Sequence, residues 1–351
     1  MREPSALPLP LQPEQVTADW LSRALGVPIE RADILDVILG TSTKIRVLLE
    51  SGGALPDTLI VKGGFEAHSP AMKEMYANEA AFYRDVQPVL PLRSPRCWFA
   101  ASDSGSHQSI VIMEDLAAAG VTFLNPQHPQ DFAAVARRLR DLAHFHAPTW
   151  NDPGFQPGGR WSWAGSRFSD WSLAYQRRYL VPEVWRHYVE SPRGAAVSVR
   201  LHDRDRMERA LVELGRIEAA GPVCLIHGDT HLGNLYVEPD GTPGFLDAQV
   251  SRASPFIEVS YHITCALDLA DRPRWEQALL TIYLEALAKD GATPPTADQA
   301  WLLYRQHLAY GFFIFLINET RFQTEAVNTA YAARFGAAMI DHDVMGLIGR
   351  A

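Results

Sequence analysis

The strand signals of this chain stop near residue 116 and helical ones take over, so its fold must join a small sheet to a larger helical body. "RADILDVIL" (31–39) and "KIRVLLE" (44–50) flank "GTST"; the turn signal "SGGALPD" and then "TLIVK" (58–62) follow. These three segments read as an antiparallel meander. "SPAMKEMYANEAAFYRDV" (69–86) repeats Met72, Met75, Tyr76, Ala80 and Tyr83 at helical spacing, with Ser69 as N-cap and Pro70 at the first helical position. "RCWFAAS" (96–102) and "SIVIMEDL" (109–116) add two strands. An amphipathic helix is expected over 128–147, and others near 169–190, 203–219, 257–270, 273–289, 297–319 and 325–342. Only 223–247, with two or three short strands, interrupts them. The predicted class is α+β. An N-terminal arm and helix (1–27) precede a small antiparallel-sheet lobe (28–116) and a mainly helical lobe (117–351).

Composition sets outer limits. A chain of 351 residues is long for one core and suits two lobes. Apolar residues at 47% and charged residues at 21% allow a sizeable core, so disorder is expected only at the proline-rich start "MREPSALPLPLQPEQ", read as an extended arm. The net charge is −9 and no Lys/Arg run exists, which argues against nucleic acid or an anionic membrane as the main partner. Cys97, Cys224 and Cys265 lie far apart in apolar surroundings and read as reduced thiols. The start carries no signal-peptide core, and the longest apolar stretch, "LAYGFFIFLI" (308–317), is about half of what a membrane span needs. The expectation is a soluble, cytoplasmic protein; the oligomeric state is not readable.

The chemistry concentrates in "VCLIHGDTHLGNLY" (223–236), where a short apolar strand runs into His227, Gly228, Asp229, Thr230, His231 and Asn234. Asp229 and Asn234 have the spacing of the catalytic loop H-R-D-x-x-x-x-N, in which the aspartate takes the proton of an attacking hydroxyl and the asparagine oxygen holds Mg²⁺. Thirteen residues after Asn234, "GFLDAQ" supplies Asp247 as a second oxygen ligand, brought back by the turn "EPDG". "LIVKG" ends a strand on Lys62, a cation for nucleotide phosphates, and Glu79 lies seventeen residues on, inside the first helix, where it could hold Lys62 as an ion pair. Glu74, on the same helix, is the rival for that pairing. "LGTSTKIRV" has a single glycine, Gly40, so the hydroxyls of Thr41, Ser42 and Thr43 and their backbone N–H groups are the candidates for covering phosphates. The backbone from Glu114 to Leu116 in "IMEDL" is where an adenine edge could be hydrogen-bonded.

With these residues in view the chain resembles a known family. "HGDTHLGNLYV…GFLDAQ" is similar to the Brenner motif and metal-aspartate pair of the aminoglycoside phosphotransferase (kinase-like) superfamily. "LPDTLIVK", "NEAAFYRDVQPVLP", "SPRCWFAA", "VIMEDL" and "LAHFHA" extend the likeness to its CHK (ecdysteroid-kinase-like) and choline-kinase-like branch, over about residues 30–265. The resemblance implies a bilobal kinase fold, ATP, Mg²⁺ and a small-molecule hydroxyl as acceptor. It assigns Asp229 as catalytic base, Asn234 and Asp247 as metal ligands, and Lys62 with Glu79 as the phosphate-positioning pair. Two departures stand out. The loop-anchoring Asp-Leu of such kinases is replaced by Glu258 and Val259 in "SPFIEVSYH", and the metal aspartate is followed by Ala248 and Gln249.

Plainer readings compete. His227 is expected to shape the loop, and His231 to approach phosphate or substrate or else sit solvated. His144 and His146 are read as packing or helix-end residues. The Trp- and Tyr-rich 160–188 segment is either core or part of an acceptor pocket. A two-metal phosphoesterase built on His227, Asp229 and His231 would leave Lys62, Glu79 and "IMEDL" without a role. A non-catalytic kinase-shaped nucleotide-binding protein is opposed by the retained Asp229, Asn234 and Asp247. The aromatic 160–188 and 301–322 stretches tilt the acceptor toward a less polar alcohol.

Overall fold

Alternation in "TKIRVLLE" buries Thr43, Ile45, Val47 and Leu49 and turns the residues between them outward. The computed structural model describes residues 7–128 and 130–349, with only the backbone at 170–171. The expectations that fall on "MREPSA" at the start of the arm, on Pro129 and on the Trp171 side chain lie outside the described residues. Within them the chain forms two compact units, Met1–Thr122 with Tyr236–Gln249 and Phe123–Leu235 with Val250–Ala351.

The first unit carries a five-stranded antiparallel sheet of β1 (Arg31–Ile38), β2 (Thr43–Glu50), β3 (Thr58–Gly63), β4 (Cys97–Asp103) and β5 (Gln108–Glu114), in the order β1-β2-β3-β5-β4. The expected meander is present: Val47 pairs with Ile34 on one side and Leu59 on the other. β5 sits between β3 and β4 and is buried without alternation from Gln108 to Met113, its polar first two residues included. The chain start also joins the core. Helix α1 (Ala18–Leu25), capped by Thr17 and ended by Gly26 at φ 72°, lays Trp20 and Leu21 with Leu9 against Ile45, Val47, Leu59 and Ile112. Burying such a side chain contributes roughly 1.5–3 kcal/mol.

The expected single helix at 69–86 is three pieces: a 3₁₀ turn Ser69–Met72, α2 (Lys73–Ala81) and a widened π turn over 82–86. Ser69 is not the cap, because its hydroxyl accepts the Glu66 N–H at 3.0 Å. The hairpin of β8 (Leu235–Val237) and β9 (Pro243–Phe245) follows β6 (Thr122–Phe123) and β7 (Cys224–Ile226) in the chain. It turns at Gly241 (φ 84°) and is held by the Phe245 N–H on the Arg93 carbonyl at 2.9 Å and by an Arg93–Glu238 ion pair. These bonds explain why 236–249 packs with the first unit.

The second unit is helical. It comprises α3 (Phe132–His146), α4 (Asp170–Tyr179), α5 (Pro182–Val189), α6 (Pro192–Ala195), α7 (Arg204–Ala220), α8 (Pro255–Ala266), α9 (Arg272–Lys289), α10 (Ala297–Ile317), α11 (Glu325–Asp341) and α12 (Val344–Ile348). The helix expected at 169–190 breaks before Pro182, with Val181 extended, because the proline ring disfavours a helical residue ahead of it. β7 pairs antiparallel with a strand the sequence did not suggest, β10 (Ser251–Ala253). α8 is buried along all twelve residues. The apolar stretch of α10 is core, and among the described residues no helix is long and apolar enough to cross a membrane.

Candidate active site

In the first unit β3 delivers Lys62 to two carboxylates. Its Nζ lies 2.6 Å from Glu79 Oε1 on α2 and 2.6 Å from Asp247 Oδ1. Glu74 is exposed, so Glu79 is the partner on the helix. Burial works against the Lys62 charge, but Asp247 and Glu79 outweigh it and raise the pKa, so the ammonium persists. Burial likewise raises the Glu79 carboxyl, and Lys62 opposes that rise. Lys44, the cross-strand neighbour of Lys62, brings a second ammonium to 3.9 Å from Asp247 Oδ2. Asp247 has a left-handed backbone, φ 58°, which a non-glycine residue adopts at a penalty of about 1 kcal/mol or more.

The remaining nucleotide candidates are also in this unit. The Thr41 carbonyl accepts from the Tyr76 hydroxyl and stands 3.1 Å from His68 Nε2. Ser42 and Thr43 are buried, and the Thr43 hydroxyl donates to Glu66 at 3.4 Å, so two of the three hydroxyls face inward. The Glu114 N–H is taken by the Arg96 carbonyl at 2.9 Å, its carboxylate pairs with Arg93 at 3.2 Å, and the Leu116 carbonyl accepts the Val121 N–H at 3.3 Å. Asp115 binds Arg46 at 2.6 Å and caps the Ala117 and Ala118 N–H groups, which shapes the turn after β5.

In the second unit the loop after β7 is held by one face of α8. Glu258, Tyr261 and His262 are spaced i, i+3, i+4, so all three point the same way. Glu258 accepts the His227 N–H at 3.0 Å and the Gly228 N–H at 2.6 Å. The glutamate in place of the family's aspartate therefore does anchor the loop. Tyr261 donates to Asp229 Oδ1 at 3.0 Å, and His262 Nδ1 donates to the Thr230 carbonyl at 3.0 Å. Gly228 has φ 89°, which the reversal before Asp229 needs and a side chain would strain. Asn234 Nδ2 then donates to Asp229 Oδ2 at 2.9 Å, which turns its amide oxygen away from the aspartate.

A further layer stands behind α8. His146 Nε2 donates to Glu258 at 2.9 Å, and its Nδ1 accepts from the Tyr283 hydroxyl at 2.9 Å. Arg138, two turns earlier on α3, donates to His262 Nε2 at 3.2 Å. Burial would raise the Glu258 pKa, but the hydrogen bonds from His146 and Gly228 outweigh it, so the carboxylate stays ionised below its usual range. Burial, with Arg138 alongside, pushes His262 down to about 3, so it is neutral and serves as a bridge.

Other candidates resolve differently. His227 Nδ1 accepts the Asp229 N–H at 3.3 Å, which shapes the loop as expected. His231 is not solvated. Its Nδ1 accepts the Gly233 N–H at 3.0 Å, its Nε2 meets Gln323 at 3.0 Å, and its ring packs on Phe315 and Tyr331. Among the described residues no group of three or more His, Cys, Asp or Glu side chains is placed to hold a metal ion. His144 pairs with Asp290 at the helix end, whereas His146 is a buried polar anchor. The aromatic 160–188 segment divides. Trp161, Trp185 and Tyr188 are core, but Arg167 donates to the Gly228 carbonyl at 2.7 Å and lines a small cavity with Tyr261 and Tyr310. Sequence reasoning missed Tyr261, His262 and Arg167. For the first two the readable signal was Glu258, Tyr261 and His262 at i, i+3, i+4 in a largely apolar helix.

The model of the phosphotransferase enzyme family (APH) matches residues 45–304, and the chain belongs to that family. Its fold, an antiparallel-sheet N-terminal region followed by a helical region, is that of the small-molecule kinases. A choline kinase from Cryptosporidium parvum Iowa II superposes at TM-score 0.53 with 13% identity over 92% of both chains. The AMP-bound spectinomycin phosphotransferase gives 0.51 with 13% identity over 97% of this chain and 99% of that one. A Plasmodium vivax ethanolamine kinase gives 0.50 with 12% identity over 86% and 81%. No curated protein sequence matches the chain significantly.

Proposed function

We propose that this protein is an ATP-dependent kinase that transfers the γ-phosphoryl group to a hydroxyl of a small organic acceptor. The observation that carries the reading is the buried Lys62 shared between Glu79 and Asp247, a cation poised for phosphate oxygens beside a carboxylate suited to a hard metal. Asp229, held on both oxygens, is the base. It orients the acceptor hydroxyl for in-line attack and takes its proton as the new P–O bond forms and ADP leaves. Lys62 holds the α- and β-phosphates and Glu79 keeps it in place. The backbone around Thr41, Ser42 and Thr43 covers the phosphates, and the Glu114–Leu116 backbone meets the base.

The donor set fits Mg²⁺. Asn234 and Asp247 offer only oxygen ligands, and such a cation needs one or two of these besides phosphate. When bound, it neutralises charge on the phosphate oxygens.

For the acceptor we favour a less polar alcohol, as in the ecdysteroid-kinase-like branch. Tyr261, Tyr310 and Phe315 adjoin one another near Asp229 in the second unit, which supports this choice. Three free thiols, two of them buried, suit a cytoplasmic setting. A thermal-shift titration with Mg·ATP, followed by an ADP-release screen across alcohols from choline to sterols, tests the reading. Stabilisation by ATP and turnover with an alcohol are expected. No response to ATP, with stabilisation by Mn²⁺ or Zn²⁺ alone, sinks it.

A further inference from the structure

Asp229 is the least buried member of its own network, with about a third of its side chain exposed, yet both of its oxygens are tied. Asn234 Nδ2 holds Oδ2 at 2.9 Å and the Tyr261 hydroxyl holds Oδ1 at 3.0 Å. One donor on each oxygen fixes the carboxylate plane, because rotation about Cβ–Cγ breaks both bonds. We infer that Tyr261 is a positioning residue for phosphoryl transfer, fixing the Asp229 carboxylate in the orientation that receives the acceptor's proton. The inference rests on the phosphotransferase reading above.

Tyr261 is built for this task. Its ring is buried, stacked on Phe315 at 5.3 Å and flanked by Phe335 at 5.8 Å, so the hydroxyl has one direction to point. Burial and then the Asp229 charge raise the phenol's pKa well above its usual value, so it remains a donor at any working pH. Water could satisfy a partly exposed carboxylate oxygen equally well in energy, but it would not set a direction. A buried phenol on a packed helix does, and hydrogen bonds to ionised groups are among the stronger ones. Glu258 and His262, on the same helix face, grip only backbone groups of the loop. Tyr261 alone of the three touches the reactive side chain.

The test reads ADP released from Mg·ATP by the 351-residue chain, with water in place of the alcohol. Tyr261→Phe keeps the ring and should lower kcat about tenfold at unchanged KM for ATP. In an Asp229→Asn background the same change should lower kcat no further, since the group it positions is gone. Wild-type kcat in Tyr261→Phe overturns the inference, as does a second tenfold loss in the Asp229→Asn background. Wild-type kcat in Asp229→Asn alone overturns the phosphotransferase reading instead. A measurement independent of turnover and of the folding of Tyr261→Phe places 3-fluorotyrosine at 261. Its ¹⁹F resonance should move when Asp229→Asn is introduced, and an unmoved resonance overturns the inference.

Discussion

The two halves of the chemistry are held in opposite ways. In the first unit Lys62, Glu79 and Asp247 come from a strand, a helix and a late hairpin, and direct charge pairing holds them. In the second, a loop of a few residues is held by one helix face, mostly through hydrogen bonds to its backbone. The first arrangement suits groups that must exchange partners when phosphate arrives, because a lysine between two carboxylates can pivot. The second suits the base proposed at Asp229, whose direction must not change. Charge pairs give strength without fixed direction, and backbone hydrogen bonds from a packed helix give direction.

Variants that remove one element from each side sharpen this contrast. Asp229→Asn should lower turnover by about a thousandfold and leave the Mg·ATP thermal shift intact, since it removes the proposed base but no charge pair. A lost thermal shift in that variant would blur the division.

Lys62→Met leaves the buried Glu79 carboxylate without its cation and should destabilise the fold by about 3 kcal/mol in urea unfolding. Lys62→Met/Glu79→Gln should recover part of that, as no isolated charge is left. Equal stability of wild type and Lys62→Met would mean that the pairing contributes nothing net.

Glu258→Gln places an amide NH₂ against donors and should lose about 2 kcal/mol. The folded Glu258 pKa lies below its ordinary 4.5, so its contribution is present above about pH 4.5 and lost as pH falls. The variant's stability should therefore approach wild type in acid, and a gap that widens there would contradict the assignment.

The effect of His262→Gln is expected to show only as a change in acid sensitivity. Folded His262 is held down to about 3 against 6.5, so its neutral form favours the fold fully above pH 6.5 and progressively less as pH falls toward 3. At pH 5 this weakens wild-type stability by about 2 kcal/mol, and the glutamine variant should lose correspondingly less between pH 7 and pH 5. Identical acid slopes would remove His262 from the network as drawn.

Much of this was legible from residues alone. The meander followed from three strand-like segments separated by turn signals, and the long helices from their apolar repeat. What failed was local. Ser69 spends its hydroxyl on Glu66, so the cap expected from its residue type did not form. A proline split the 169–190 helix. β10 was too short to carry a pattern and exists because β7 supplies its ladder.

By itself the sequence determined the chemical alphabet: a lysine at a strand end, carboxylates at fixed intervals, and an aspartate and an asparagine five apart. It did so because those residue types and spacings match the pattern of a kinase catalytic loop and its phosphate-positioning pair. Only the tertiary structure decided between Glu79 and Glu74, turned Glu258 into a loop anchor despite its extra methylene, and revealed Tyr261 behind Asp229. These choices depend on which way a helix face points and how far a side chain reaches across a packed interior. Both are set by contacts between residues dozens to hundreds of positions apart, which no local pattern encodes.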